Sequence, residues 1–192
     1  MQGAGALPAR TSRTNTAERI MDVAEVGMRT GGYNSVSYRD IAAEIGIKSA
    51  SVHYHFPQKQ DLGVAVVRRY KERFVLNLSD PKAPGVSWQD KQDLLVRQFR
   101  AALVDDEMIC LCGLLGAEAP GLPAVIVAEV SQFFQFLIDW LTEVKSQSDN
   151  PEQAAPKATM MISALEGALI LASGTGDRSK FEAVATLLLA EA

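Results

Sequence analysis

Two thiols and two imidazoles are the side chains of this sequence best equipped for covalent or metal chemistry. Cys110 and Cys112 are its only cysteines. A thiolate is the reactive form of cysteine, and a helix start beside it lowers its pKa, but Asp105, Asp106 and Glu107 lie just upstream and oppose that effect. Residues two apart on a helix face different ways, so one of the two is expected to line any cavity. His53 and His55 are the only histidines, and the chain supplies no third or fourth ligand at metal-site spacing. A Ser-His-Asp arrangement would have to draw its base from the same pair. Gly174-Thr175-Gly176-Asp177 lacks the strand, loop and lysine of a phosphate cradle. These residues therefore predict no metal, no cofactor and no enzyme. A different chemistry fits Lys48-Ser49-Ala50-Ser51 and His53-Tyr54. Small residues, hydroxyls and a cation within one helical turn and a half suit close approach to a polar surface.

The elements that carry these residues read as helices throughout, with no period-two pattern. Asn15 followed by Glu18 is a capping-box pattern, and Ile20, Val23, Ala24, Gly27 and Met28 follow at helical spacing. Gly31-Gly32 stops that helix. Ser37 with Asp40 opens a short second one, with Ile41, Ala42 and Ile45 on its apolar face, and Gly46 ends it. Residues 50–55 form a third, closed by Phe56-Pro57. Lys59 to Leu78 is a longer amphipathic segment with Leu62, Val66, Tyr70 and Phe74 inward. After the loop Asp80 to Gly85, helical patterns resume around Trp88, Leu95, Phe99 and Leu103, around Cys110, from Ile126 to Val144, and near 152–173 and 178–191. The prediction is all-α with about nine helices. Its domains are an arm over 1–14, a three-helix helix-turn-helix unit over 15–58, a connecting helix over 59–78 and a helical ligand-binding and dimerisation domain over 79–192. Arg10 and Arg13 are the arm's only charges, which suits either a solvated tail or a minor-groove arm.

Net charge is −4, which by itself argues against phosphate binding, but the average hides a split. Residues 1–78 hold 11 basic and 7 acidic side chains, residues 79–192 hold 8 and 16. One end can face phosphate and the other would be repelled by it. Two closely spaced cysteines are no secreted disulfide framework, no signal segment is visible, and the apolar runs seen are short of the roughly 20 residues of a membrane span. A cytoplasmic chain with no membrane partner is expected.

Two short helices joined by Gly46-Ile47 matter because a major groove roughly 12 Å wide admits the second while the first braces it. The stretch from Arg19 to Leu62 resembles the TetR family of transcriptional regulators: Arg19-Ile20, Ala24, Gly32-Tyr33, Asp40-Ile41-Ala42, Gly46-Ile47, Tyr54-His55-Phe56, Lys59 and Leu62. The resemblance implies that Ser49, Ala50, Ser51, His53 and Tyr54 face the groove. It also implies that Ser37, Tyr38 and Arg39 touch phosphate or a base edge, and that Lys59 holds a phosphate. Many members have tyrosine where His53 stands and a serine cap where Lys48 stands. Ser49 can take over as cap, leaving Lys48 for phosphate. His55 is expected to pack within the domain rather than on DNA.

One such helix reads few base pairs, so a homodimer on a palindromic double-stranded operator is expected. Its seam is placed on Ile162, Leu165, Leu169 and Ala172, with Leu187 and Leu188, unless that stripe is buried inside the protomer. The resemblance further implies a small-molecule inducer. Cys110, Cys112, Met108, Trp88, Phe99, Phe133 and Trp140 are the candidate sensor residues, though most of the aromatics equally suit a core. Cys110-Leu111-Cys112-Gly113-Leu114-Leu115 with Glu118 and Pro120 resembles a TetR subgroup that responds to unsaturated acyl compounds and electrophiles. Covalent sensing, inert buried thiols and a noncovalent pocket wall are all compatible with that stretch. The expected function is a repressor released by an inducer. The alternative is a helical small-molecule- or partner-binding protein that no longer reads DNA.

Overall fold

Helix-stopping residues set the boundaries of the elements. The structure, a computed structural model, describes residues 9–147 and 150–190, with side chains from Thr16 onward. Among the described residues there are nine α-helices and no strand. Helix α1 spans Ala9–Gly31 and is followed by a 3-10 turn at Tyr33–Ser35. It starts six residues before Asn15, so the Asn15/Glu18 pair lies inside the helix and not at its start. No glycine or proline separates Ala9 from Asn15, and Pro8 is the nearest breaker upstream. The expected arm's residues 1–8 lie outside the described residues.

Helices α2 (Tyr38–Ile45) and α3 (Ser49–His55) follow, then α4 (Lys59–Leu76). Farther on come α5 (Trp88–Val104), α6 (Leu111–Ala117), α7 (Ala124–Lys145), α8 (Ala154–Thr175) and α9 (Ser179–Ala190). The chain divides into two compact units between Val66 and Val67. In the first, Ile20, Ala24 and Met28 of α1, Ile41 and Ala42 of α2, Val52 of α3 and Leu62 of α4 are all buried. Ile45, expected in this core, is only half-buried at the end of α2.

The second unit is built on α7 against α8 and α8 against α9, with α5 beside them. Phe74 sits edge-on to Phe99 at 5.6 Å and to Phe133 at 5.3 Å, contacts worth about 0.5–1.5 kcal/mol each beyond area burial. The loop before α5 is fastened by a fully buried lysine: Lys91 Nζ donates to the carbonyls of Pro81 at 2.7 Å and Ala83 at 3.2 Å. Trp140 Nε1 donates to Ser79 O at 2.9 Å, so this residue is an anchor of the same loop.

Ala124–Lys145 and Pro151–Thr175 are long and apolar enough to cross a membrane by length and composition. Polar residues interrupt each run, Glu129 and Asp139 in the first and Glu166 in the second. Both turn a face into the core of the second unit. That burial also corrects the expected dimer seam: Ile162, Leu165, Leu169 and Ala172 are buried within the protomer's own core. They occupy the face of α8 that meets α7, α5 and α9, because a helix buries its most continuous apolar stripe first. The opposite face of α8 exposes Met160, Ile170 and Leu171, and α9 exposes Leu187 while Leu188 is half-buried.

Candidate nucleic-acid interface and sensor site

The turn between α2 and α3 is made by capping groups at each end of α2. Ser37 Oγ accepts the Asp40 N–H at 3.2 Å and donates to the Asp40 carboxylate at 2.5 Å. That hydrogen bond holds the Asp40 carboxyl below its ordinary value. Ser37 is thus occupied as the N-cap of α2, the role its spacing to Asp40 predicted. At the other end Gly46 adopts φ 72°, a left-handed conformation that costs other residues roughly 1–2 kcal/mol. Its neighbour's amide, Ile47 N, then reaches back to Ala42 O at 2.9 Å. Arg19 Nη2 donates to Ile45 O at 2.9 Å, so α1 satisfies another of the carbonyls left at this helix end.

Helix α3 is oriented by one buried residue, Val52, which sends the three-and-four-apart set Ala50, His53 and Tyr54 to solvent. Ser49, Ser51 and His55 are half-buried at its sides. Lys48 occupies the cap position with no side-chain cap hydrogen bond and is exposed, while Ser49 is the first helical residue. The expected takeover of the cap by Ser49 therefore does not occur. His55 meets the Tyr54 ring edge-on at 5.3 Å and lies tilted to the Phe56 ring at 6.5 Å.

Tyr38 departs from its expected role. It is buried, its hydroxyl donates to Phe56 O at 2.7 Å, and its ring meets His53 edge-on at 4.6 Å. Burial, reinforced by the Asp61 carboxylate, pushes its phenol up to about 12. The hydroxyl ties the start of α2 to the end of α3 and is not available to a phosphate. Arg39, beside it, is exposed, with Nε 3.5 Å from Asp40. Lys59 is half-buried, with Nζ 4.5 Å from the centre of the Tyr33 ring, and burial lowers its pKa. The unit therefore gathers Lys48, Ala50, His53 and Tyr54 on or beside one exposed helix face, whereas Ser37 and Tyr38 serve as internal ties.

The second unit gives the sensor candidates a different surrounding from the one expected. Phe99, Phe133 and Trp140 are core, Trp88 and Met108 are half-buried, and Cys110 and Cys112 are both buried as unpaired thiols. Clefts formed by described residues open on this unit. One of about 200 Å³ is lined by Tyr70, Arg73, Phe74, Asn77, Gln98 and Asp106 among others. Another, of about 380 Å³, includes Arg68, Lys71, Val75, Glu129 and Phe136. None of the seven sensor candidates lines either cleft.

What the sequence reading missed lies around Cys110. Burial pushes its thiol up, and the nearby Glu166 carboxyl adds to that push, while the Tyr70 hydroxyl and the Gly113 amide act in the other direction. Desolvation disfavours the thiolate more than these donors favour it, so the balance falls on the side of an inert buried thiol, one of the alternatives the sequence left open. Glu166 comes from α8, and its own carboxyl is pushed up to about 7, first by burial. Its Oε1 is buried without a hydrogen-bond partner. A signal was present in the sequence: Glu166 is the lone charged residue between Lys157 and Asp177, an interruption of an otherwise apolar helix.

With this geometry in hand, the fold and the exposed α3 define a helix-turn-helix DNA-binding regulator. Residues 20–66 match the family model described as bacterial regulatory proteins, tetR family. A TetR transcriptional regulator from Legionella pneumophila is 32% identical over 96% of this chain and 97% of its own, with a TM-score of 0.82. A TetR-family regulator from Agrobacterium tumefaciens is 28% identical over 93% of this chain and 98% of its own, with a TM-score of 0.85. E. coli NemR in its reduced form shares the fold at 17% identity and a TM-score of 0.75, over 91% of this chain and 95% of its own. No curated protein sequence compared with it matches. The chain belongs to the TetR family of transcriptional regulators.

Proposed function

We propose that this regulator is a cytoplasmic repressor that grips a palindromic operator as a homodimer and lets go when a small molecule or electrophile reaches its second unit. The observation that carries the reading is the exposed face of α3, Ala50, His53 and Tyr54, with Lys48 directly ahead of it. Ala50 lets the backbone near the base edges, His53 can donate to a guanine or a phosphate, and Tyr54 can lie along a sugar with its hydroxyl on phosphate. Ser49 and Ser51 flank that face with hydroxyls. Lys48, Arg39 and Lys59 contribute the charge that phosphate contacts require. Lys59 would have to leave the Tyr33 ring to make its contact.

The dimer is assigned to the outer faces of α8 and α9. Met160, Ile170, Leu171 and Leu187 are more than half exposed there, an apolar surface that a second copy would cover. Gly167 and Gly174, on the same side of α8, have open space where a Cβ would stand, which lets a second helix come close. Inducer sensing is assigned to the surroundings of Cys110, where a thiol, a phenol and a carboxyl meet in the apolar core.

The test is a gel shift of the chain's own promoter fragment, repeated over a range of salt. Repressor binding should fall linearly in log–log form with salt. Tyr54→Ala should cost about 1–3 kcal/mol in operator affinity, about tenfold to a hundredfold, with helicity unchanged. A protein that is stabilised by ligands but gives no sequence-dependent shift would refute the DNA reading.

A further inference from the structure

Cys110 sits at the start of α6 with its thiol between two groups from other helices, Tyr70 of α4 and Glu166 of α8. The thiol acts as donor toward the Glu166 carboxyl, and the Tyr70 hydroxyl acts as donor toward the sulfur. Space for the carboxyl is provided by a missing side chain: a Cβ on Gly113 would fall 2.3 Å from Glu166 Oε2. The other carboxyl oxygen, Oε1, is buried without a partner. Burial of a carboxyl without a cation is costly, and a core aliphatic of similar size would fill the site more cheaply. The group is nevertheless directed at a sulfur that the surrounding core otherwise keeps as an unreactive thiol.

We propose that Glu166 is the proton acceptor for Cys110 in the addition of its thiol to a neutral α,β-unsaturated aldehyde or ketone. The proposal rests on the reading of Cys110 as the inducer-sensing group. In the step, sulfur attacks the β-carbon, the S–C bond forms and the alkene π pair shifts toward the carbonyl. The thiol proton passes to the Glu166 carboxylate and is returned to the α-carbon. The thiol adds across the double bond, nothing is oxidised or reduced, and the carboxylate is regenerated. The Tyr70 hydroxyl steadies the negative charge that develops on sulfur. Neutrality of the electrophile follows from the setting: Cys110 itself and Leu111 and Leu115 of the same short helix are buried, and the Glu166 carboxylate would repel an anionic ligand. Tyr70 also lines the cleft of about 200 Å³ on the surface of this unit. The residue that donates to the sulfur thus also forms part of the wall of that cleft.

Two ionisable groups bear on the Glu166 end of the arrangement, the Cys110 thiol and, through it, the Tyr70 phenol. Burial pushes the carboxyl up, the hydrogen bond from Cys110 works against that push, and no charged side chain from α5, α7 or α9 contributes. Cyclohex-2-en-1-one is a suitable probe, with adduct formation on the full chain followed by intact mass and located by peptide mapping. The wild type is expected to gain an adduct at Cys110 at a rate that climbs as pH passes about 7 and then levels, because the carboxylate accepts the proton only once ionised. Glu166→Gln is expected to lose that step in the profile and to react about a hundredfold more slowly at neutral pH. Glu166→Asp is expected to recover part of the rate and to restore a pH step. An unchanged rate and pH profile in Glu166→Gln would overturn the assignment of Glu166 while leaving Cys110 as the sensor. A wild-type chain that takes no adduct at Cys110 would overturn the sensor reading and this proposal with it. If Glu166→Gln loses helicity, the comparison of wild type with Glu166→Asp decides, and identical pH profiles for those two at equal rates would count against the proposal.

Discussion

Replacing Tyr38 by phenylalanine separates a structural tie from a DNA contact. The ring is buried and stays in place, so the substitution removes one atom, the hydroxyl that donates to Phe56 O at 2.7 Å. A net hydrogen bond is worth about 0.5–1.5 kcal/mol, and the carbonyl left behind adds a desolvation cost of about 1–3 kcal/mol if no water reaches it. A loss of about 1–2 kcal/mol is expected overall. A domain with a stability of about 5–15 kcal/mol remains folded after such a loss. Urea unfolding should therefore show a lower midpoint with an unchanged slope. Operator affinity measured below the transition should fall by no more than about twofold, since 1.4 kcal/mol would be tenfold and none of it is lost at the DNA. The salt dependence should be that of the wild type, whereas removal of a phosphate contact lowers its slope by about one. Wild-type stability combined with a reduced salt slope would refute the assignment of this hydroxyl to the interior and return it to the DNA-contacting set.

The same phenol makes a pH prediction. Its pKa is raised to about 12 in the folded chain against about 10 unfolded, so its contribution to stability is complete below pH 10 and declines as pH climbs from 10 toward 12. Thermal melts of wild type and Tyr38→Phe should diverge less at pH 11 than at pH 8. Gly46→Ala should cost about 1–2 kcal/mol through its backbone alone, because φ is 72° and nothing lies within 4 Å of the added carbon; melting temperature reads the loss. Lys48→Ala should leave the melting temperature unchanged and reduce the salt slope of operator binding by about one. Leu187→Glu puts a charge on the exposed apolar face of α9. If the proposed dimer forms through that face, the substitution should leave a monomer in sedimentation and abolish operator binding without changing helicity.

What the sequence settled by itself was set by local physics. Ser37 with Asp40 marks a helix start because a hydroxyl three residues before an amide can cap it, and Gly46 marks a stop because a left-handed turn excludes a Cβ at low cost. The periodicity around Ile20, Ile41 and Ile126 fixed which residues point inward, since a face is decided within one or two turns. On α3 the family resemblance, not periodicity, pointed to the face: Ala50, His53 and Tyr54 of that set are exposed, while Ser49 and Ser51 are half-buried. Only the tertiary structure decided the questions that depend on a distant partner. Tyr38 turned inward because Phe56, eighteen residues on, offered it a carbonyl. The stripe of Ile162, Leu165, Leu169 and Ala172 reads the same whether its cover is α7 or a second copy, and contact with α5, α7 and α9 chose the first. The Cys110 thiol acquired its neighbours from helices that begin far from it in sequence. Its environment is a property of packing: burial and a carboxyl from α8 outweigh what its own helix start would have done.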